Sequence, residues 1–321
     1  MKWSVLSREA KVFVGLMAVE AVTVAALTVQ DLVANAPWTA ANRFHYEFGI
    51  LFLVCTLAAA YFGISGAVRE NALELAIFCF ALLLADVYVL YAIISPGAEA
   101  RGGKVSPPSP AAYIRVVLVS LATIASLPAS YVVHQAFGWR AYKTVGASVE
   151  MTTLYERYVL LMGSLKLDAL VSFITLYIAG MTLLHERGLI ADCIALVVTW
   201  AGLAAAAYGA RHESRKAVAV FFVIAVLEPA YIVWKLVDYS HHEQEYNSRI
   251  RYIHSLMTMG VVTLVVRAAS CLLLARTSLG FGRSLDDALG RAERSRVDES
   301  SSFGINVSAS GTITAYPGLP S

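Results

Sequence analysis

Apolar residues gather in eight long runs along this chain, separated by short polar or Gly/Pro-rich segments. The runs cover residues 11–33, 48–68, 72–94, 113–137, 158–184, 189–210, 217–239 and 252–275. Each is close to or above the ~20 predominantly apolar residues that a helix needs to cross a bilayer. The pattern predicts an all-α fold, a polytopic membrane bundle of about eight transmembrane helices occupying residues 1–276. Residues 277–321 are polar and rich in Ser and Gly, which predicts a disordered tail. The first run is longer than the ~7–15 apolar residues of a signal-peptide core, so it is expected to stay as a membrane helix.

The breaks between runs are chemically explicit. Ser95-Pro96-Gly97 ends the third run, and Gly102, Gly103, Pro107, Pro108 and Pro110 mark the following loop. Trp38, Phe44 and Tyr46 suit an interface belt between the first two runs. Pro128 and Pro229 fall inside runs, where a proline removes a backbone donor and kinks the helix, freeing the carbonyls of Ile124 and Ala225. Ala58, Ala59, Gly63 and Gly66, and later Ala204–Ala207, offer small residues for close helix contact, including contact with partner transmembrane helices.

Composition agrees with the pattern. Of 321 residues, 58% are hydrophobic and 15% charged, against about 45–50% and about 25% in soluble domains. Mean hydropathy is +0.64. A net charge of +2 gives no case for nucleic acid; the partner these numbers imply is the lipid bilayer. Cys55, Cys79, Cys193 and Cys271 all lie within apolar runs, without metal-site spacing, and read as packing residues. His241, His242 and Glu243 stand in a solvated loop, and no metal is expected there.

The candidate chemistry lies inside the runs. Glu20, Asp86, Lys166, Asp168, Glu228 and Arg267 are ionisable residues placed where each costs about 2.5–3.5 kcal/mol to insert, so each should face a partner or the bundle interior. Four acids against two bases leave at least two acids without a cation. In the fifth run Ser164, Asp168, Ser172 and Thr175 recur at three- and four-residue spacing and share one face. Lys166 lies about 200° round the helix from Asp168, so those two do not pair with each other. Glu228 stands beside Pro229, with Lys235 seven residues on along the same face. A broken helix next to a buried carboxylate is how many transporters form a midplane site. Gly260, Thr263, Arg267 and Ser270 form a stripe in the last run, and Arg267 suits Asp168, Glu228 or Glu20 equally. A retinal Schiff base at Lys235 is set aside, because a complete run follows it and Tyr231 stands one turn before it.

Basic residues are denser on the side of the two ends (Lys2, Arg8, Lys11, Arg69, Arg140, Lys143, Arg157, Arg211, Arg215, Lys216, Arg276 and Arg283) than on the other (Arg43, Arg101, Lys104, Arg115, Arg187, Arg249 and Arg251). The positive-inside rule then places both termini in the cytoplasm. Asn306-Val307-Ser308 fits a glycosylation acceptor that this topology keeps unglycosylated. No Gly-rich phosphate loop, HExxH or GxSxG element is present, so no catalytic residue, cofactor or enzyme activity is expected.

Phe137-Gly138-Trp139-Arg140-Ala141-Tyr142-Lys143, Gly146-Ala147, Tyr155 and Leu165-Lys166-Leu167-Asp168 form one set of motifs. Lys235-Leu236-Val237, Tyr246 and Gly280-Phe281-Gly282 follow. Together, over residues 137–289, they resemble multispanning fungal membrane proteins of unknown function, some labelled Golgi membrane proteins. The resemblance implies an eight-span endomembrane or plasma-membrane protein and brings no activity. The expected function is that of a transporter or ligand-sensing receptor, with a polar midplane site for a small polar ligand or ion. The alternative is a non-catalytic structural or adaptor protein of a fungal endomembrane.

Overall fold

The computed structural model describes residues 8–34, 43–94, 110–135, 137, 149–182, 186–241 and 250–281. Among the described residues all regular structure is helical: α1 (Arg8–Ala34), α2 (Arg43–Arg69), α3 (Ala72–Ile94), α4 (Pro110–Gln135), α5 (Val149–Thr182), α6 (Glu186–Arg211), α7 (Arg215–His241) and α8 (Ile250–Ser278). Seven of them are long and apolar enough to cross a membrane. The remaining helix, α3, is an apolar segment of 23 residues packed between α2 and α4.

Several helices run past the apolar stretches that announce them. Helix α2 begins at Arg43 rather than 48, and α5 at Val149 rather than 158. Hydropathy marks only the part of a helix that lies in hydrocarbon, whereas the backbone ladder continues into polar residues until a cap or breaker stops it. At the other end α8 continues to Ser278, two residues into the stretch expected as tail. From residue 282 on, that tail, with Asn306-Val307-Ser308, lies outside the described residues, as do His242 and Glu243.

The helices form two rings of four. In the first, α1, α2, α3 and α4 pack in sequence and α4 closes on α1; in the second, α5 to α8 do the same and α8 closes on α5. Helix α5 also touches α2 and α3, so it joins the rings. The first ring is filled by Phe13, Met17, Phe62, Phe78 and Val133, with Phe13 and Phe78 edge to face at 5.7 Å. Leu161, Leu203, Ala206, Phe221 and Leu274 fill the second. Leu51, Ile178, Ala179 and Leu256 bridge α2, α5 and α8. Outside, Val12, Val19, Val22, Ile194, Val197, Val223, Val226, Val261 and Val265 are exposed. A polar centre inside an apolar exterior suits hydrocarbon as the solvent.

The second and third helices of each ring are joined by the same turn. Helix α2 ends with Glu70 at φ 56°, and the Asn71 N–H bonds the Gly66 carbonyl at 2.9 Å. Helix α6 ends with Glu213 at φ 49°, and the Ser214 N–H bonds the Gly209 carbonyl at 3.0 Å. Both are helix C-termini closed by a left-handed residue and a six-to-one hydrogen bond. Asn71 then caps α3, its Oδ1 accepting from the Leu73 N–H at 3.0 Å and the Glu74 N–H at 3.4 Å. The sequences align as Gly66-Ala67-Val68-Arg69-Glu70-Asn71 and Gly209-Ala210-Arg211-His212-Glu213-Ser214. Each glycine meets the residue nine positions on: a Cβ would lie 2.9 Å from the Leu75 nitrogen at Gly66 and 3.1 Å from the Val218 nitrogen at Gly209.

Several of the small residues expected to serve helix contact are used inside the bundle, while Ala204 is exposed. Gly63 packs on the Phe78 ring and Gly66 on Leu75, while Ala206 is fully buried in the second core. Helix α2 needs close approach to α3 to make the tight turn, so these glycines are not free for a partner helix. Both prolines lie within helices that continue through them, Pro128 in α4 and Pro229 in α7.

Candidate functional site

The polar face of α5 meets the polar stripe of α8, and the two run antiparallel. Ser164 pairs with Ser270 at 2.7 Å near one end. Thr175 pairs with Thr263 at 2.6 Å near the other. Both hydroxyls also reach the Met259 carbonyl, Thr263 at 2.8 Å and Thr175 at 3.4 Å. Between these hydroxyl pairs the three- and four-residue spacing brings Asp168 and Ser172 to Arg267.

Arg267 binds acids from two helices. Its Nε donates to Asp168 Oδ1 at 3.0 Å and lies 2.9 Å from Oδ2. Its Nη2 donates to Ser172 Oγ at 3.0 Å and to Glu228 Oε2 of α7. Ser172 Oγ donates to the same Glu228 oxygen at 3.1 Å, and Thr199 of α6 adds a donor at 3.3 Å. All four helices of the second ring therefore contribute, close to the middle of their spans. Asp168 is 0%, Glu228 2% and Arg267 3% exposed, so the centre is sealed by protein. Asp168 Oδ2, Glu228 Oε1 and Arg267 Nη1 have no hydrogen-bond partner among the described residues.

Two further buried acid–base pairs flank the centre. Lys235 of α7 reaches Asp192 of α6 at 2.5 and 2.6 Å, and the Tyr231 hydroxyl donates to Asp192 Oδ1 at 2.8 Å. The Lys235 ammonium also stands 5.3 Å from the Tyr231 ring centre. Lys166 of α5 pairs with Glu74 of α3, donates to Ser65 of α2 at 3.4 Å, and lies 5.4 Å from the Tyr61 ring centre. Lys166 thus ties the two rings together.

Glu20 and Asp86 lie in the first ring, away from Arg267. Ser126 of α4 donates to Glu20 Oε2 at 3.1 Å, and Ser120 of α4 donates to Asp86 Oδ1 at 2.6 Å. Each ring thus carries a carboxylate on its first and third helices and turns both toward its fourth. In the second ring the fourth helix answers with arginine, in the first with serine. No cluster of three or more metal-ligating side chains occurs among the described residues.

Six candidates were legible from spacing, but Glu74 and Asp192 were missed. Both stand at the start of apolar runs, where an acid ordinarily complements the helix dipole and needs no buried partner. Their signal was indirect: Lys166 and Lys235 each required an acid from another helix. Lys235 shares a face with Glu228 as expected, yet two turns separate them and it is Asp192 that Lys235 binds.

The polar centre is therefore described by its own geometry. Compared with known proteins, this chain matches no family model, no curated protein and no solved structure.

Proposed function

We propose that this chain is a multi-pass membrane transporter or ligand-sensing receptor working through the Asp168–Arg267–Glu228 centre. Support comes from one observation above the rest: all four helices of the second ring converge at mid-span on two carboxylates that share a single guanidinium. Charges at that depth are costly, and in membrane proteins they mark ion or substrate paths. The repeated turn adds weight, because many transporters consist of repeats that rock against each other about a midplane site. The ligand class is a small polar solute or ion, and no covalent chemistry is involved. Both termini lie in the cytoplasm, in a Golgi or plasma membrane, and kinship with the fungal membrane proteins belongs to the same proposal.

The test is water access to the centre. With the native cysteines replaced by serine, Thr199→Cys places a thiol beside Glu228. Labelling of that thiol by a small membrane-impermeant thiosulfonate in sealed vesicles is the expected result. No labelling, while the exposed native Cys193 of the unaltered chain reacts, refutes a site that opens. The second reading, a structural or adaptor protein, is favoured by the one-to-one pairs Asp192–Lys235 and Glu74–Lys166, and it would then stand.

A further inference from the structure

We propose that Asp168 and Glu228 hold one proton between them, so that the centre is a proton-binding site; this rests on the reading of the centre as functional and names the ion it takes. Within the second ring, the charge count singles it out among the described residues. Lys235 answers Asp192 and Lys166 answers Glu74. Arg267 alone faces two carboxylates, which leaves one negative charge uncompensated at a place with almost no exposed surface. A net charge buried in a low-dielectric interior is expensive, and two carboxylates sharing a site resolve this by one of them staying neutral. The orphaned atoms fit this state. Glu228 Oε1 is a buried oxygen with no hydrogen-bond partner among the described residues, and Asp168 Oδ2 has only the Arg267 Nε beside it at 2.9 Å; each keeps a lone pair that can carry the hydrogen.

Among the described residues the surroundings offer no competing cation. From α6 the centre is faced by the hydroxyl of Thr199, and from α8 by Arg267 and, one turn on, the half-buried thiol of Cys271. From α7 come Glu228, Tyr231 within one turn of it and Lys235 two turns away, the last two both held by Asp192 of α6. On the far side of α5, Lys166 is held by Glu74 of α3 and Ser65 of α2. A metal cation would need several oxygen ligands gathered around it, and a guanidinium occupies that position. A proton needs a single lone pair and enters without moving a helix. It comes from water and returns to water, adding to one carboxylate oxygen while no other bond changes.

The experiment is infrared difference spectroscopy on the full chain in detergent, following the carbonyl band of a protonated carboxylic acid through a pH titration. Asp168→Asn and Glu228→Gln each leave one acid against Arg267, so each should remove the band of one acid group. Glu228→Asp keeps the acid and the fold and should shift the band instead of removing it. A wild-type band that none of the three substitutions alters overturns the proposal. The two readings fail separately. Labelling at Thr199→Cys without the acid band overturns the proton alone, and the band without labelling overturns transport alone.

Discussion

Lys235 of α7 reaches both carboxylate oxygens of Asp192 on α6, at 2.5 and 2.6 Å. With side chains only 2% and 7% exposed, neither has water to fall back on. Removing one partner of such a pair typically costs about 3–5 kcal/mol, because the other charge stays buried alone. Lys235→Met is therefore expected to lower the thermal midpoint in detergent sharply. Lys235→Met combined with Asp192→Leu should recover most of the loss. Single and double variants that melt alike would refute the pairing.

Lys166 is a graded version of the same contact. Its side chain is 20% exposed, against 2% for Lys235. Water can solvate part of what Glu74 would leave behind, so Lys166→Met should destabilise less than Lys235→Met in the same assay. The Lys166→Met/Glu74→Gln cycle should still show coupling, on the order of 0.5–3 kcal/mol. Additive single effects would mean that the two rings are not joined there.

Three glycines separate backbone crowding from free space. At Gly66 a methyl would meet the Leu75 nitrogen at 2.9 Å, and backbone cannot step aside. Gly66→Ala should cost about 1–3 kcal/mol as an overpacked site. Gly209→Ala meets the Val218 side chain at 3.0 Å and the Val218 nitrogen at 3.1 Å, a looser approach to backbone than at Gly66, and should cost less. Nothing lies within 4 Å of a Cβ at Gly15. Gly15→Ala should be neutral or stabilising by about 0.5–1 kcal/mol, since glycine inside a helix loses the most backbone freedom. Melting curves of the three variants check the order.

The serine pair between α5 and α8 sets a smaller effect. Ser164→Ala leaves the Ser270 hydroxyl without its partner at 2.7 Å. Hydrogen bonds between membrane helices average about 0.6 kcal/mol in double-mutant cycles. The single change should lower stability by about that much, and Ser164→Ala with Ser270→Ala should be milder than the sum of the two. A loss comparable with that of Lys235→Met would assign these serines a larger part than packing.

What the chain revealed unaided follows from the solvent. Lipid forces runs of apolar residues on any helix that crosses it, so seven observed spans coincide with sequence runs. Lipid also forces polar residues inward, so Ser164, Asp168, Ser172 and Thr175 could be assigned to one face before any neighbour was known. Which helix that face meets was not written locally. Arg267 stands 99 residues from Asp168 and 39 from Glu228, and spacing has no information on ring closure. The matching turns at Gly66 and Gly209 share only a few identical residues, too few to notice until the left-handed glutamates fell at the same place.

Arg267 sits on the eighth helix, and this bears on how the protein is made. A chain emerging from its N-terminus delivers Asp168 and then Glu228 to the membrane before the cation that holds them both. Until α8 arrives, the nascent second ring carries two acids at mid-depth with only hydroxyls to answer them. Closure of the ring by its last helix is thus the step at which the intermediate stops resembling a damaged protein, and a block at that step would leave it exposed to membrane quality control.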